Sequence, residues 1–453
     1  MQLKKVLTLR TIVATSAGLT LSSATFAAAV QVAGFLAGDA AWLAILTGGL
    51  LCMTAALCFS ELNGMTPSAA GIRLYFSRAF NDRLALTVSM LYMLVIMGVI
   101  GAESYILAQV LNEVWPSVPA LVWILVMFIT VTVINMVGIK IAGGFQDMIT
   151  YGLILSLVSI AFIALVRVDF QITAPVATGG AVGLVNAVAV GIFLFVGFEW
   201  VTPLAEEVTH HRLISRGMLL AIGLLSVIYS LFTMAMTATV SREVLAGSPI
   251  PQLIFARSLL GGAGVVWMVV ITLAASITTF NAGLISVSRF IYASSREHVL
   301  PQVFSKLSMR FFTPWVAVLA IFIIGLVIST VVLVTQRYLV LVNMAAAMES
   351  IIYALAGLAV IRLRKKMPGA NRPYRIPGGY IIPVTCVVVF TGLTLAVFAS
   401  FPNVLLYIGL GLLFCFWYVN VVVPELKKRH QAQKGAARQR KRPLPQAGGK
   451  AGD

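Results

Sequence analysis

Residues Gly191–Trp200 read GIFLFVGFEW and lie inside an apolar run long enough to cross a bilayer, yet the ninth of them is Glu199. An ionised carboxylate at that depth costs several kcal/mol or more, so such residues face a bundle interior or a watery cavity. Two positions earlier, Gly197 costs a helix about 1 kcal/mol relative to alanine and lets backbone come close to a ligand. Carboxylate and glycine together predict a span interrupted near 196–199. The competing reading is a kinked packing helix whose glutamate is satisfied by a neighbour.

The rest of the chain fits a membrane setting. Of its 453 residues 60% are hydrophobic and 10% charged, whereas ordinary soluble proteins carry about 25% charged residues. Apolar runs of about 20 residues, the length a ~30 Å hydrocarbon core requires, recur from end to end. They fall near 10–32, 42–62, 84–112, 119–137, 147–166, 182–206, 216–240, 264–289, 314–335, 339–361, 379–400 and 403–423. The fold class is therefore an all-α polytopic membrane protein with twelve transmembrane helices. One transmembrane domain covers 1–423, and a basic tail at 424–453 is expected to be disordered for want of apolar residues. The N-terminus has a basic start and an apolar core like a signal peptide, but its spanning length predicts a retained first span.

A formal charge of +17 invites a nucleic-acid partner, and the placement of the charge argues against one. With the N-terminus inside, all but four of the 32 Lys and Arg fall on the inner side, the exceptions being Arg167, Arg242, Arg257 and Arg337. That asymmetry predicts both termini in the cytoplasm and a multi-pass protein of the cell membrane. Cys52, Cys58, Cys386 and Cys415 lie inside apolar runs without ligand spacing, so neither disulfides nor a metal is expected. The histidines (His210, His211, His298, His430) all fall in expected cytoplasmic segments rather than on a span, which weakens a membrane metalloprotease reading. No Gly-x-x-x-x-Gly-Lys loop offers ATP drive, and no cofactor is implied.

The first span carries a second irregularity, the hydroxyl-rich stretch Thr20–Phe26 (TLSSATF). Small polar residues in an apolar helix either pack helices closely or compensate freed backbone groups. Spans 1 and 6 thus both falter, five spans apart, and five is odd, so a second set of five would run inverted. Paired irregular segments in two halves are a sequence pointer to a transporter's binding site.

Four stretches now carry a family resemblance. AALCFSELNGMTPSAAGIRLYFSRAF, FLFVGFEWVTPLAEEV, NAGLISVSRFIYASSREHVLP and RPYRIPGG stand in the order and spacing found in the amino acid–polyamine–organocation superfamily of permeases, which the chain resembles over nearly its whole length. The resemblance implies a five-plus-five inverted repeat with broken helices 1 and 6, repeat one at about 10–166 and repeat two at about 182–361. Two extra C-terminal helices at about 379–423 stand outside it. It also implies a site between spans 1, 3, 6, 8 and 10. There Ser22, Ser23 and Ala24 fall on the unwound part of span 1, Phe193 on an aromatic gate, and Phe280 and Asn281 on the site-facing part of span 8. The sequence departs from the pattern at Ser22-Ser23-Ala24, usually Gly-Ser-Gly, at Leu153, where some relatives carry a lysine, and at Glu349, where a small or apolar residue is expected.

Three acids lie well inside spans: Glu103, Glu199 and Glu349. With no Lys or Arg inside the membrane to pair them, they cannot all be ionised cheaply, so at least one is expected to carry a proton. They are candidates for proton coupling or for holding a cation; the competing reading is neutral, hydrogen-bonded packing. Glu61, at a span end, is expected to pair with Arg73 or Arg78, and Glu206 and Glu207 to be solvated or paired with basic loops. Phe193, Phe195, Phe198 and Trp200 either gate a pocket or fill the bundle.

The sequence therefore reads as a secondary active transporter, not an enzyme. Its substrate is a small molecule, an amino acid or amine leaning cationic, with H⁺ as coupling ion and the lipid bilayer around it. Ser22, Ser23, Ala24, Glu103, Phe193, Phe195, Gly197, Glu199, Phe280, Asn281 and Glu349 are the candidate substrate residues. An exchanger without ion coupling is the alternative, and a membrane sensor or membrane-embedded enzyme the rivals of another class.

Overall fold

The computed structural model describes residues 3–22, 37–170, 180–246 and 251–440, which are helical apart from turns and one isolated bridge between Leu7 and Val208. In chain order come α1 (Leu9–Thr20), α2 (Ala41–Met65), α3 (Gly71–Ala79), α4 (Asp82–Val114), α5 (Ala120–Val137), α6 (Ile139–Arg167) and α7 (Gly180–Phe193). A 3-10 segment (Phe198–Glu206) follows, then α8 (Arg212–Thr239), α9 (Arg242–Ala246) and α10 (Pro251–Arg296). After a short 3-10 turn (Gln302–Ser305), α11 (Trp315–Thr335), α12 (Tyr338–Lys366), α13 (Ile381–Ser400) and α14 (Pro402–Arg440) complete the chain.

Ten of these helices, α2, α4, α5, α6, α8 and α10–α14, are long and apolar enough to cross a membrane. They coincide with ten of the twelve expected spans. The first and sixth are, among the described residues, not continuous helices of that length: α1 stops after 12 residues and α7 after 14.

The helix most enclosed is α4, with 83% of its apolar window buried, and α12 and α8 follow at 61% each. The outermost are α13 and α14, at 17% and 22%, whose exposed Ile381, Val388, Leu395, Leu410 and Leu413 suit a lipid-facing surface. Helix-to-helix approach relies on small residues, as expected where lipid removes the hydrophobic drive between spans. A Cβ on Gly48 of α2 would stand 3.1 Å from the backbone of Gly191 and Ile192, so α2 and α7 touch backbone to backbone. All four cysteines are free and buried.

Two expectations need correction. Residues 424–440, expected to be a disordered tail, continue α14 as helix to Arg440. Lys, Arg, Gln and Ala are good helix formers, and a span already formed removes the nucleation cost. Residues 441–453 lie outside the described residues.

The second correction concerns Glu61, which pairs not with Arg73 or Arg78 but with Arg364 at 2.5 Å and Arg372 at 3.5 Å, and accepts the Ile376 N–H at 2.9 Å. Packing of α12 against α2 carries the last turn of α12 over it, and chain proximity loses to that tertiary contact. Arg73 instead meets Asp82 (3.2 Å) and Glu297, and Arg78 donates to the Thr66 hydroxyl (2.6 Å). Nearby, Glu207 forms a fully buried pair with Arg289 (2.8 Å) and Glu206 a half-exposed one with Arg296 (3.0 Å). The end of the molecule rich in basic residues is thus laced with ion pairs.

Candidate functional site

The α-helix of the sixth segment ends at Phe193. Leu194, Phe195 and Val196 then make i→i−3 turns (3.0–3.2 Å), and Gly197 sits at φ +102° before the 3-10 segment begins. A side-chain-bearing residue in such a conformation costs roughly 1–2 kcal/mol, which explains the glycine. Pro203 inside the segment lacks a donor and so cannot restore an α-helical ladder. Freed backbone groups find side-chain partners instead, as burial in a bundle demands. The Phe198 carbonyl accepts the Ser16 hydroxyl (2.9 Å) and the Gly197 N–H donates to the Tyr353 hydroxyl (3.4 Å), while the Ile192 carbonyl, already bonded by the Phe195 N–H, also takes the Cys52 thiol (3.8 Å).

The end of α1 meets this break. A Cβ on Gly197 would stand 3.6 Å from that of Leu19. Beyond Thr20 the helix is lost, and its last carbonyls are taken up by neighbouring helices. Tyr229 of α8 donates to the Thr20 carbonyl (2.8 Å), and Thr279 of α10 to those of Gly18 (3.1 Å) and Leu21 (3.5 Å). Ser22 is buried beside them; Ser23 and Ala24 lie outside the described residues.

Immediately after the break, Glu199 is fully buried and Glu349 of α12 nearly so. Tyr92 of α4 bridges them, in contact with Glu199 and 2.6 Å from Glu349 Oε2, while Tyr353 of α12 donates to Glu199 Oε2 at 2.7 Å. Glu349 Oε1 is buried with no hydrogen-bond partner, and neither carboxylate forms an ion pair among the described residues. Aromatic rings wall the cluster: Trp200 lies 4.9 Å from Tyr92, and Phe198 and Phe390 lie 5.2 and 5.0 Å from Tyr353. Such a wall strengthens every charge inside it by excluding water.

The other expected site residues divide. Gly197 and Glu199 form the break itself, and Phe195 packs beside it on Tyr229 (5.7 Å); Phe193 is half-buried at the end of α7. Glu103 stands apart. It lies eleven residues beyond Tyr92 on the same face of α4, about 16 Å outward at 1.5 Å per residue, and accepts the Ser276 hydroxyl of α10 at 2.8 Å. The three acids therefore do not share one cluster.

Phe280 packs edge-on to Phe128 (4.7 Å). The Asn281 amide donates both protons, to Gln146 (2.7 Å) and the Ala142 carbonyl (3.0 Å), and accepts from Asn135 (2.7 Å). With both donors used, it ties α5, α6 and α10 together.

Sequence reasoning missed Tyr92 and Tyr353. Tyr353 could have been found, because it lies four residues after Glu349 and so on the same helix face.

Comparison with known proteins shows the family. The chain is 25% identical to the human Asc-type amino acid transporter 1 over 387 residues, covering 81% of this chain and 72% of that one. It is 24% identical to the methylthioribose transporter of Bacillus subtilis over 428 residues (88% and 90%), and 25% identical to the gamma-aminobutyric acid permease of Escherichia coli over 359 residues (75% and 76%). Residues 7–423 match the amino acid permease family, a family of transporters rather than enzymes, and to that family this chain belongs.

Proposed function

We propose that the chain is a secondary active transporter of an amino acid or amine with a positively charged group, coupled to H⁺ and working by alternating access. One observation carries the reading: Glu199 and Glu349 are buried together with tyrosines, and no basic side chain, for company. Two buried carboxylates need positive charge from somewhere, and a proton or a substrate ammonium would supply it.

Proton counting supports the H⁺ part. Three hydroxyl–carboxylate contacts join Tyr92, Tyr353, Glu199 and Glu349, but two tyrosines bring two hydroxyl protons. A proton on one of the two carboxyl groups would give the third contact a donor of its own. Access is the remaining requirement. The cluster is closed over in this conformation, with Glu199, Phe195, Phe198 and Trp200 at most 1% exposed, so substrate entry requires the break between α7 and the 3-10 segment to open.

The names of the relatives support amino acids as the broad class, and the methylthioribose transporter among them leaves the substrate to be decided at this site. Protein reconstituted in liposomes, tested by counterflow with labelled cationic, neutral and acidic amino acids and amines, decides it. Cationic or amine substrates are expected to exchange best, with uptake driven by an imposed inward proton gradient. Best transport of an acidic amino acid would overturn the charge reading, and uptake that follows internal amino acid but ignores the gradient would make the protein an exchanger.

A further inference from the structure

On the basic face of the molecule, a cavity of about 290 Å³ opens between Gly64 at the end of α2, the first two turns of α8, and Pro373 and Tyr374 of the α12–α13 connection. From α8 it is lined by His211, Arg212, Ser215, Arg216 and Leu219. Positions 212, 215, 216 and 219 share one helix face, so both guanidinium groups converge on one opening.

Neither of these two arginines has an acid partner among the described residues. Elsewhere on this face Arg73, Arg289, Arg296, Arg364 and Arg372 each hold a carboxylate. Arg212 and Arg216 are exposed and form no ion pair among the described residues. Glu61, at the same end of α2, is already committed to Arg364 and Arg372. His211 adds no reliable charge, because partial burial and the neighbouring His210 and Arg212 hold its imidazole below the usual range. The cavity is an unneutralised basic pocket, which favours an anion.

The surface above it selects the kind of anion. From Arg216 at the edge of the pocket, the row of α8 at four-residue spacing continues through Leu220 and Leu224, with Val227 beside it, and these are 53%, 37% and 61% exposed. These apolar residues rise from the pocket towards the middle of the bundle, as a bed for hydrocarbon chains would. Basic pockets between spans are known seats for anionic headgroups.

We propose that this cavity binds the phosphodiester headgroup of an anionic phospholipid, with Arg212 and Arg216 on the phosphate and the acyl chains along Leu220, Leu224 and Val227. A free phosphate shares the headgroup chemistry but gains nothing from the apolar bed.

The test is native mass spectrometry of the purified full-length protein in micelles, titrated separately with phosphatidylglycerol, phosphatidylethanolamine and inorganic phosphate. Phosphatidylglycerol is expected to bind saturably and the other two not. The double variant Arg212→Gln/Arg216→Gln should bind it about 30-fold more weakly, since each basic residue near a headgroup contributes about 1 kcal/mol. Arg375→Gln, which removes an exposed charge outside the cavity, should bind as the parent does. Both arginines are exposed, so folding is not at stake, and monodisperse elution of each variant checks it. Undiminished binding by the double variant, equal weakening by Arg375→Gln, or phosphate binding as tight as the lipid would each overturn the proposal.

Discussion

Two sets of buried acids occupy this molecule, and they are treated oppositely. At the basic end, Glu61 and Glu207 are as buried as any residue in the bundle, and each holds arginine at 2.5–2.8 Å. At the centre, Glu199 and Glu349 are just as buried and hold two tyrosines. Burial alone therefore says nothing about role. A carboxylate closed off with a guanidinium is neutralised and tied down, and removing either partner exposes the other to the full cost of an unpaired buried charge. A carboxylate held only by hydroxyl groups keeps its charge requirement open, so it can respond to a proton or an ammonium group.

The contrast can be broken first at its structural pole. Glu61→Ala leaves Arg364 and Arg372 without their acid and should cost about 3–5 kcal/mol of stability, read as a lowered unfolding midpoint in detergent. An unchanged midpoint would mean that the arginine-paired acids are not structural after all.

At the other pole, Glu199→Gln and Glu349→Gln should each cut uptake into liposomes by about tenfold or more, as losing a buried charge partner costs ~2–5 kcal/mol, while unfolding midpoints stay near the parent's. Normal transport by both variants would reduce the central pair to packing. Tyr92→Phe sharpens the comparison within the pair. It removes a hydroxyl that bridges the two acids and should slow uptake about fivefold, the worth of roughly one hydrogen bond. The smallest effect is expected at Phe193→Ala, where uptake falls more than substrate binding does because a lid acts on closure rather than first contact. Identical losses in binding and uptake would make Phe193 a wall.

Much of this could be read from the chain. Apolar run length located ten helices, and Gly197 with Glu199 located the break, because both signals are local. Partnership was not legible, since it is decided by residues far apart in the chain. Tyr92 and Tyr353 reach Glu199 across 107 and 154 positions, and Arg364 reaches Glu61 across 303. Glu103 was grouped with the other acids because depth in a span is a one-dimensional quantity, whereas three helical turns of separation along α4 is a distance in space. Asn281 is a candidate ligand through the resemblance alone, which puts it on the site-facing part of span 8. Its partners lie on two other helices, and the sequence does not say that Gln146 and the Ala142 carbonyl already take both protons it can donate while Asn135 occupies its oxygen.

The contact between Cys52 and the Ile192 carbonyl has a practical consequence. All four native thiols are shut away, so a maleimide that enters the bilayer finds nothing to alkylate while the molecule stays closed. Cys52 lies one step from the interruption in the sixth segment, and any excursion that parts α7 from α2 uncovers it. The rate of Cys52 alkylation would therefore count openings of the unmodified protein, and a compound that stabilises the closed form would announce itself as protection of a single sulfur.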